Sequence, residues 1–409
     1  MHLLKRMVSP IYEAYRHLAD VRKSAKLYNI DELIELIMTK STNNKKKIRF
    51  SHYSESTWNT IRSVVESFLE EDSCDVLVVL ARNDENMRRQ VIESGARYIL
   101  FGDYDIKLDS PDVLLISHTR DDLFKKEDRL YVNYVVVLSI ALIHYFDSIE
   151  EFISVVKGSY GDLNPNYHIY DKLMYTELKK KGVYGDKLVC MGNPKYDGIF
   201  ESMNSEYSNP LWMKMSGKKV ILYAPDHGVQ YGYIAEDFSF EIYARQIFEY
   251  FVINKEVGLI FRPHKTFIEE MLIHKYWTRE SIDKFRNIIN STENIIWDDN
   301  DTYDGAYSIC DAIITDCHCG IVCSALPTNK PIGVLYKNHD IAPISEKLTL
   351  CQYEIYTNED LYAFLDNVRN GFDPKLKLRK EINKECVCNF DGMNGRRIRD
   401  YILEKINND

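Results

Sequence analysis

The sequence lacks a hydrophobic run long enough to cross a membrane. Its most apolar stretch is residues 132–143, which is shorter than the ~20 apolar residues that a spanning helix needs. That stretch is rich in valine and predicts a buried β-strand instead. The first residues, MHLLKRMVSPIYEAYRH, contain no sustained apolar segment, so we expect no secretory signal.

The cysteines form no paired framework. Their number is odd, and several fall in stretches that predict buried strands or helices. Such usage is typical of a reducing compartment rather than of a disulfide-bonded secreted protein. We therefore expect free thiols and a cytoplasmic protein. The nine are Cys74, Cys190, Cys310, Cys317, Cys319, Cys323, Cys351, Cys386 and Cys388.

Positive charge is also scarce. Lys and Arg total 52 against 62 Asp and Glu, which gives a formal net charge of -10. A general nucleic-acid binder needs cationic side chains to neutralise phosphates, so we expect no nucleic-acid partner. A local exception is residues 1–27, whose spacing predicts a basic amphipathic helix. Such a helix can lie on the inner face of a membrane, although a solvated helix face on the domain is the favoured interpretation.

What the chain does contain is two successive series of alternating strand and helix patterns. The first series begins at Ile48, and the second restarts at Val220 after a polar stretch, residues 201–217. Near-continuous apolar strands between helices are typical of parallel sheets covered on both faces. The sequence therefore predicts an α/β protein with two Rossmann-like domains and additional N-terminal helices. We expect boundaries at 1–47, 48–205, 206–375 and 376–409, with the last helices crossing back to the first domain.

Residues 310–336 predict a strand, a tight turn, a short helix and a second strand. The turn follows Asp316 and contains Gly320. It would lie at the carboxyl end of a parallel strand, where open α/β sheets bind ligands. Glycine there lets the backbone approach a phosphate held by helix amides. The alternative is an ordinary turn that binds nothing.

Four short segments follow in order: Gly192–Asp197 (GNPKYD), Ile221–Pro225 (ILYAP), Arg262–His264 (RPH) and Ile314–Asp316 (ITD), the last followed by Lys330-Pro331. Their order resembles the CDP-glycerol glycerophosphotransferase family of teichoic-acid and capsule synthesis. The family segments look like Gly-x-Pro-Arg-x-Asp, Tyr-Ala-Pro-Thr, Arg-Pro-His and Thr-Asp-Tyr-Ser-Ser with Lys-Pro. The resemblance covers roughly residues 165–345, the donor half.

The resemblance implies a GT-B fold, in which two Rossmann-like domains face a cleft. It implies that residues 48–205 bind the acceptor and that residues 206–375 bind a CDP-linked polyol donor. In the family reaction an acceptor hydroxyl attacks the β-phosphorus and CMP leaves. The polyol phosphate passes to a lipid-linked or glycan acceptor of a cell-surface polymer. No cofactor and no metal are implied.

The resemblance also suggests roles for individual residues. The family's matching histidine acts on the donor phosphates, so we expect His264 to be catalytic. Lys195 stands where the family has arginine, and a lysine there can act as a point charge. The residues expected at the donor are Arg262, Lys265, Asp316, His318, Cys319, Gly320, Asn193, Lys195, Pro225 and Asp226.

The chain departs from the family in three places. His318 and Cys319 replace the paired serines, and Asp226 replaces the threonine after Tyr-Ala-Pro. The family's Trp-His-Gly, which is thought to carry the base, has no match. We expect His144, after the long apolar strand, to act as base, with His118 as second choice. Zinc at the Cys317–Cys323 cluster is disfavoured because its ligand spacing is compressed. The acidic residues within 298–304 could hold a divalent ion, but a solvated loop that opens a helix explains them equally well.

Three alternatives follow from these departures. The altered donor positions favour a GT-B glycosyltransferase that uses a nucleotide sugar. A nucleotide-sugar epimerase of similar architecture is the second alternative, since it forms product without an acceptor. The third is a non-catalytic relic that binds a nucleotide or a partner enzyme.

Overall fold

The computed structural model describes most of the chain from residue 45 onward. The described residues are 45–117, 123–138, 150, 153–154, 163–170, 172–205, 210–226, 228–230, 233–234, 238–300, 302–316, 320–337 and 346–408. The helices predicted within residues 1–47 therefore fall almost wholly outside this part, as do His118 and His144.

The first domain is built on a seven-stranded sheet. Its strands are β1 (Lys46–His52), β2 (Cys74–Leu80), β3 (Arg97–Leu100), β4 (Val113–Ile116), β5 (Tyr134–Leu138), β6 (Tyr167–Tyr170) and β7 (Leu188–Cys190). Their order is β3-β2-β1-β4-β5-β6-β7, and the pairs β2–β3, β1–β4, β4–β5, β5–β6 and β6–β7 are parallel. The helices that follow are α1 (Trp58–Leu69), α2 (Glu85–Glu93), α3 (Ile106–Asp109), α4 (Lys172–Lys180) and α5 (Lys195–Asn204).

The second domain is built on a six-stranded parallel sheet in the order β12-β11-β8-β13-β14-β15. Its strands are β8 (Lys219–Ala224), β11 (Val257–Phe261), β12 (Ile295–Trp297), β13 (Ala312–Asp316), β14 (Ile332–Leu335) and β15 (Tyr353–Ile355), and β9 (Val229–Gln230) pairs with β10 (Tyr233–Ile234) as a hairpin. The helices that follow β8 along the chain are α6 (Phe240–Ile253), α7 (Lys265–Ile273), α8 (Arg279–Ser291), α9 (Asp304–Ile309), α10 (Ile321–Ser324), α11 (Glu346–Cys351), α12 (Asn358–Arg369), α13 (Leu376–Cys386) and α14 (Asn394–Asn408).

Apolar side chains cover both faces of each sheet, which is why the strands read as continuous apolar runs. In α1, buried residues recur at helical spacing, including Ile61, Val64 and Phe68, and they pack with Phe50 of β1. All four residues of β4 are buried. The sequence prediction of two parallel-sheet α/β domains is therefore confirmed. Among the described residues, no helix combines the length and the apolar composition that a membrane crossing requires.

The last helix, α14, lies on the first domain. Its buried Ile398, Ile402 and Ile406 join the same apolar cluster as α1 and β1. The carboxylate of Asp197 accepts the Asn394 and Gly395 amides at 3.0 and 2.8 Å, which places a negative charge at the positive end of the helix.

The strand order of each sheet reverses at one point, and this positions the candidate site. The reversal falls between β1 and β4 in the first sheet and between β8 and β13 in the second. Loops after these strands diverge to opposite faces and leave a crevice, where open α/β sheets bind ligands. The segments after β8, β11 and β13 carry three of the sequence motifs.

Candidate functional site

Three motifs of the second domain meet through hydrogen bonds at the carboxyl ends of β8, β11 and β13. The Arg262 amide donates to the Tyr223 carbonyl, and the His264 amide donates to the Pro225 carbonyl, each at 2.9 Å. Thr315 Oγ1 donates to the carbonyl of Ala224 at 2.8 Å. The motifs that resemble Tyr-Ala-Pro, Arg-Pro-His and Thr-Asp therefore form one connected structure.

His264 occupies the position before the first residue of α7, where its ring caps the helix. Its Nδ1 accepts the Thr266 amide at 3.3 Å and lies 2.9 Å from Thr266 Oγ1. Because a backbone N–H can only donate, Nδ1 is the acceptor, and a neutral ring then carries its proton on Nε2. The half-buried imidazole is therefore prepared to donate a hydrogen bond through Nε2.

His264 lines a cavity of about 870 Å³ between the two domains. Pockets that bind small ligands commonly measure ~300–1,000 Å³. The first domain contributes residues after β1 and β2, including Ser54, Arg82 and Arg89, and the second contributes residues after β11 and β12. The cavity thus joins the carboxyl-end loops of both sheets.

Arg262 supports one wall of this cavity. Its side chain is 3% exposed, and it forms an ion pair of 2.7 Å with Asp298. It also donates to the Asn300 carbonyl at 2.7 Å, and its guanidinium lies 4.1 Å from the ring centroid of Tyr303. Burial alone would lower the pKa of Arg262, but the charge and hydrogen bond of Asp298 act together with Tyr303 and Tyr307 to hold the pKa above its ordinary value. A donor phosphate would have to compete with these contacts.

Of the two interpretations of the acidic residues 298–304, the solvated loop does not hold at Asp298. Asp298 is buried because it neutralises Arg262, and its Oδ1 also accepts the Asn300 amide at 3.1 Å. Asp299 instead pairs with Arg286 at 2.5 Å. Within the described part of the chain, no three His, Cys, Asp or Glu side chains gather closely enough to hold a metal ion.

Asp316 is wholly buried at the end of β13. Its Oδ2 accepts the Asp226 amide at 2.7 Å, and its Oδ1 accepts both the amide and the hydroxyl of Ser239. Burial raises the pKa of the Asp316 carboxyl group to about 7, against the opposing effect of these hydrogen bonds. Its hydrogen-bond partners are therefore segments of the protein, whereas the resemblance implied that Asp316 contacts the donor.

The Gly-Asn-Pro segment lies at the junction with the last helix, away from the cavity. Asn193 is 2% exposed; its Oδ1 accepts the Lys195 amide at 3.0 Å, and its carbonyl accepts Asn394 Nδ2 at 3.2 Å. Gly192 has a φ of +92°, and a Cβ there would lie 2.3 Å from Asn394 Oδ1. Neither Asn193 nor Lys195 is among the described residues that line the cavity. The structure therefore places Asn193 at this junction and not at the cavity, and its donor contact stays a prediction.

Gly320 precedes α10, which extends over only four residues. The helix dipole there is small, since it grows with the number of aligned peptides. His318 and Cys319 lie outside the described residues, as does the side chain of Lys265. Pro225 and Asp226 are described, and both enter the hydrogen-bonded junction through their backbone.

Several residues of the cavity were not predicted from sequence. Arg82 and Arg89 follow β2 in the chain. On the opposite wall, the guanidinium carbon of Arg286 lies 4.6 Å from the ring centroid of Trp297. The available signal was the position of Arg82 just after β2 and of Trp297 at the end of β12, whereas Arg89 and Arg286 lie within helices and gave none. Lys330 of the Lys-Pro pair instead donates to the carbonyls of Tyr307, Ser308 and Cys310 and so closes the end of α9.

No family model and no curated protein matches the chain. Solved structures do match it. The S. aureus MnaA structure with UDP has 16% identity and a TM-score of 0.62, and the match covers 88% of this chain and 97% of that one. UDP-GlcNAc 2-epimerase from Neisseria meningitidis bound to UDP-GlcNAc has 12% identity and a TM-score of 0.58, with 88% and 100% covered.

A third matching structure is the wall teichoic acid polymerase TagF with CDPG. It has 13% identity and a TM-score of 0.57, and 98% of each chain is covered. At these identities the likeness concerns the fold. Together with the two parallel sheets, it shows that the chain has a GT-B fold, as the sequence analysis predicted.

Proposed function

We propose that this chain is a transferase that moves a polyol phosphate, such as glycerol phosphate, from a CDP-linked donor to an acceptor hydroxyl. The acceptor is a lipid-linked or glycan chain of a cell-surface polymer. One observation carries the proposal: His264 lines the interdomain cavity with Nδ1 already accepting a hydrogen bond from Thr266. That arrangement suits an imidazole whose Nε2–H stabilises phosphate charge.

The reaction is a single displacement at phosphorus. The acceptor oxygen forms a bond to the β-phosphorus, and the bond from that phosphorus to the CMP oxygen breaks. CMP leaves with the electron pair, and the acceptor proton passes to a base. Because charge accumulates on phosphate oxygens during the displacement, donors already in place lower the barrier. His264 fills this role, and Lys265, at the first position of α7, is proposed to assist it.

The base is proposed to come from the first domain, whose carboxyl-end loops form the opposite wall. His144 and His118 are the two candidates, and both lie outside the described residues. β4 ends at Ile116 and β5 at Leu138, so His118 follows its strand more closely than His144 does. β4 also flanks the reversal point of the sheet. For these two reasons we propose His118 and His144 as equal candidates for the base.

The comparison with TagF supports the proposal because the match extends over 98% of both chains. An epimerase that acts on a nucleotide sugar is the second candidate. It is favoured by the higher TM-score of the MnaA structure with UDP, 0.62 against 0.57. The two reactions differ in one requirement, since an epimerase needs no acceptor.

The test is mass spectrometry of nucleotides after incubation with CDP-glycerol, CDP-ribitol or a panel of nucleotide sugars, each with and without crude membrane acceptor. We expect acceptor-dependent release of CMP from a CDP-polyol. Release of a nucleoside diphosphate from a sugar donor would instead establish glycosyl transfer. An isomerised nucleotide sugar formed without acceptor would establish the epimerase.

A further inference from the structure

We propose that Asp316 is a positioning residue that holds His264 in place and makes no contact with the donor. This inference rests on the proposed role of His264 at the donor phosphates. It assigns the Thr-Asp pair at the end of β13 to support of the site rather than to substrate binding.

One carboxylate joins both ends of a single segment. Asp316 Oδ2 accepts the Asp226 amide at 2.7 Å, and Oδ1 accepts the Ser239 amide at 3.2 Å and the Ser239 hydroxyl. Asp226 and Ser239 flank residues 227–238, which contain the β9–β10 hairpin. A buried carboxylate with three donors in fixed directions is strongly oriented. Asp316 therefore fixes where this segment leaves β8 and where it enters α6.

The same junction holds His264. Pro225 directly precedes Asp226, and its carbonyl accepts the His264 amide at 2.9 Å. The neighbouring Thr315 hydroxyl holds the Ala224 carbonyl at 2.8 Å. Within the clamped segment, Gly228 packs so closely on α7 that a Cβ would lie 2.2 Å from Met271 Cε. Asp316 thus acts on His264 along two routes, the Pro225 carbonyl and the packing of the segment against α7.

Burial separates this role from donor binding. Asp316 is 0% exposed, whereas His264 is half-buried and lines the cavity. A donor could reach the Asp316 carboxylate only by displacing Asp226 or Ser239.

The first test measures hydrogen exchange and needs no enzymatic activity. Asp316→Asn leaves one acceptor oxygen for donors that approach both, so we expect faster exchange at the amides of Asp226, Ser239 and His264. The matched control is Asp311→Asn, because Asp311 ties β13 to β8 at the opposite end by accepting the Val220 amide at 2.8 Å. The control variant should leave hydrogen exchange at the His264 amide unchanged.

Unchanged protection of the His264 amide in folded Asp316→Asn would overturn the inference. Should that variant not fold, Ser239→Ala removes only the hydroxyl donor and should raise exchange at the same amides by a smaller factor. Unchanged exchange in Ser239→Ala would then overturn it equally.

The second test is a double-mutant cycle on CMP release from CDP-glycerol. We expect Asp316→Asn to lower kcat by about 10- to 100-fold, since small misplacements of a catalytic group have effects of this size. In the His264→Ala background it should have no further effect, because Asp316 acts through His264. A tenfold loss of CDP-glycerol affinity in Asp316→Asn, with His264 exchange unchanged, would instead make Asp316 a donor contact. Absence of CMP release from the wild-type protein would refute the proposed function and leave the exchange test standing.

Discussion

Two regions of the molecule carry sequence motifs of similar appearance but differ in what their side chains contact. At the carboxyl ends of β8, β11 and β13, backbone and side-chain hydrogen bonds bring three motifs together and leave His264 at the interdomain cavity. At the junction with α14, the Gly-Asn-Pro segment directs its polar groups inward, to Asn394 and to the helix amides. The comparison teaches that a motif marks a site only when its side chains remain available to a ligand.

The largest expected effect comes from the cavity region. His264→Ala should lower kcat for CMP release by ~100- to 1,000-fold, since removal of one preorganised donor has this effect on charged transition states. The melting temperature should change little because the ring is half-buried and caps only the first turn of α7. The measurement is steady-state kinetics with CDP-glycerol.

The matched control is His274→Ala, at the other end of α7, where the side chain is exposed. It should retain full activity. Equal losses in the two variants would mean that α7, rather than the His264 ring, is what the reaction requires.

At the junction with α14, a substitution should lower stability and leave activity almost unchanged. Asp197→Ala leaves the Asn394 and Gly395 amides without their acceptor, so the free energy of unfolding should fall by about 2–3 kcal/mol. Activity per folded molecule should stay close to that of the wild type. Urea denaturation followed by kinetics at a temperature below the transition measures both.

Asp391→Ala provides the comparison for the junction. Its exposed carboxylate pairs with Arg397, and a surface pair of this kind contributes at most ~1 kcal/mol. If Asp391→Ala were as destabilising as Asp197→Ala, burial at the helix N-terminus would not explain the effect.

The effect of pH on stability defines the conditions under which the two regions can be compared. Burial lowers the pKa of His52 to about 4 and that of His168 to about 3, from an ordinary value of 6.5. A histidine with a depressed pKa stays neutral in the fold. Its stabilising contribution is therefore fully present above pH 6.5 and is lost as the pH falls from 6.5 to the pKa of the histidine in the fold. Each group contributes up to about 1.4 kcal/mol per pH unit in that window.

His168→Phe tests this account. The ring stacks on Tyr184 with centroids 3.7 Å apart, so phenylalanine should keep the packing and remove the titration. Urea unfolding at pH 5 and pH 7.5 should show a smaller loss of stability on acidification than in the wild type. An identical loss would place the acid sensitivity elsewhere.

More of the fold than of the candidate site could be predicted from the sequence. Continuous apolar strands such as Val113–Ile116 alternate with amphipathic helices such as α1, and these local patterns are sufficient to predict two parallel sheets. The position of His264 could also be predicted, because this residue follows the carboxyl end of an apolar strand, β11. Both predictions rest on residues that are near one another in the chain.

The roles of Arg262, Asp316 and Asn193 could not be predicted, because each depends on a distant partner. Arg262 meets Asp298 at a separation of 36 residues, Asp316 meets Asp226 at 90, and Asn193 meets Asn394 at 201. No local pattern predicts such pairs, because a buried polar residue and a polar residue that faces a ligand look the same in the sequence. Only the tertiary contacts separate them.

The most direct test of this account is a crystal structure of the protein with bound CDP-glycerol. We predict that the diphosphate lies within hydrogen-bond distance of His264 Nε2, in the cavity between the domains, while Asp316 keeps its bonds to Asp226 and Ser239. A diphosphate bound at Lys195 and Asn193, with the cavity at His264 unused, would contradict the account.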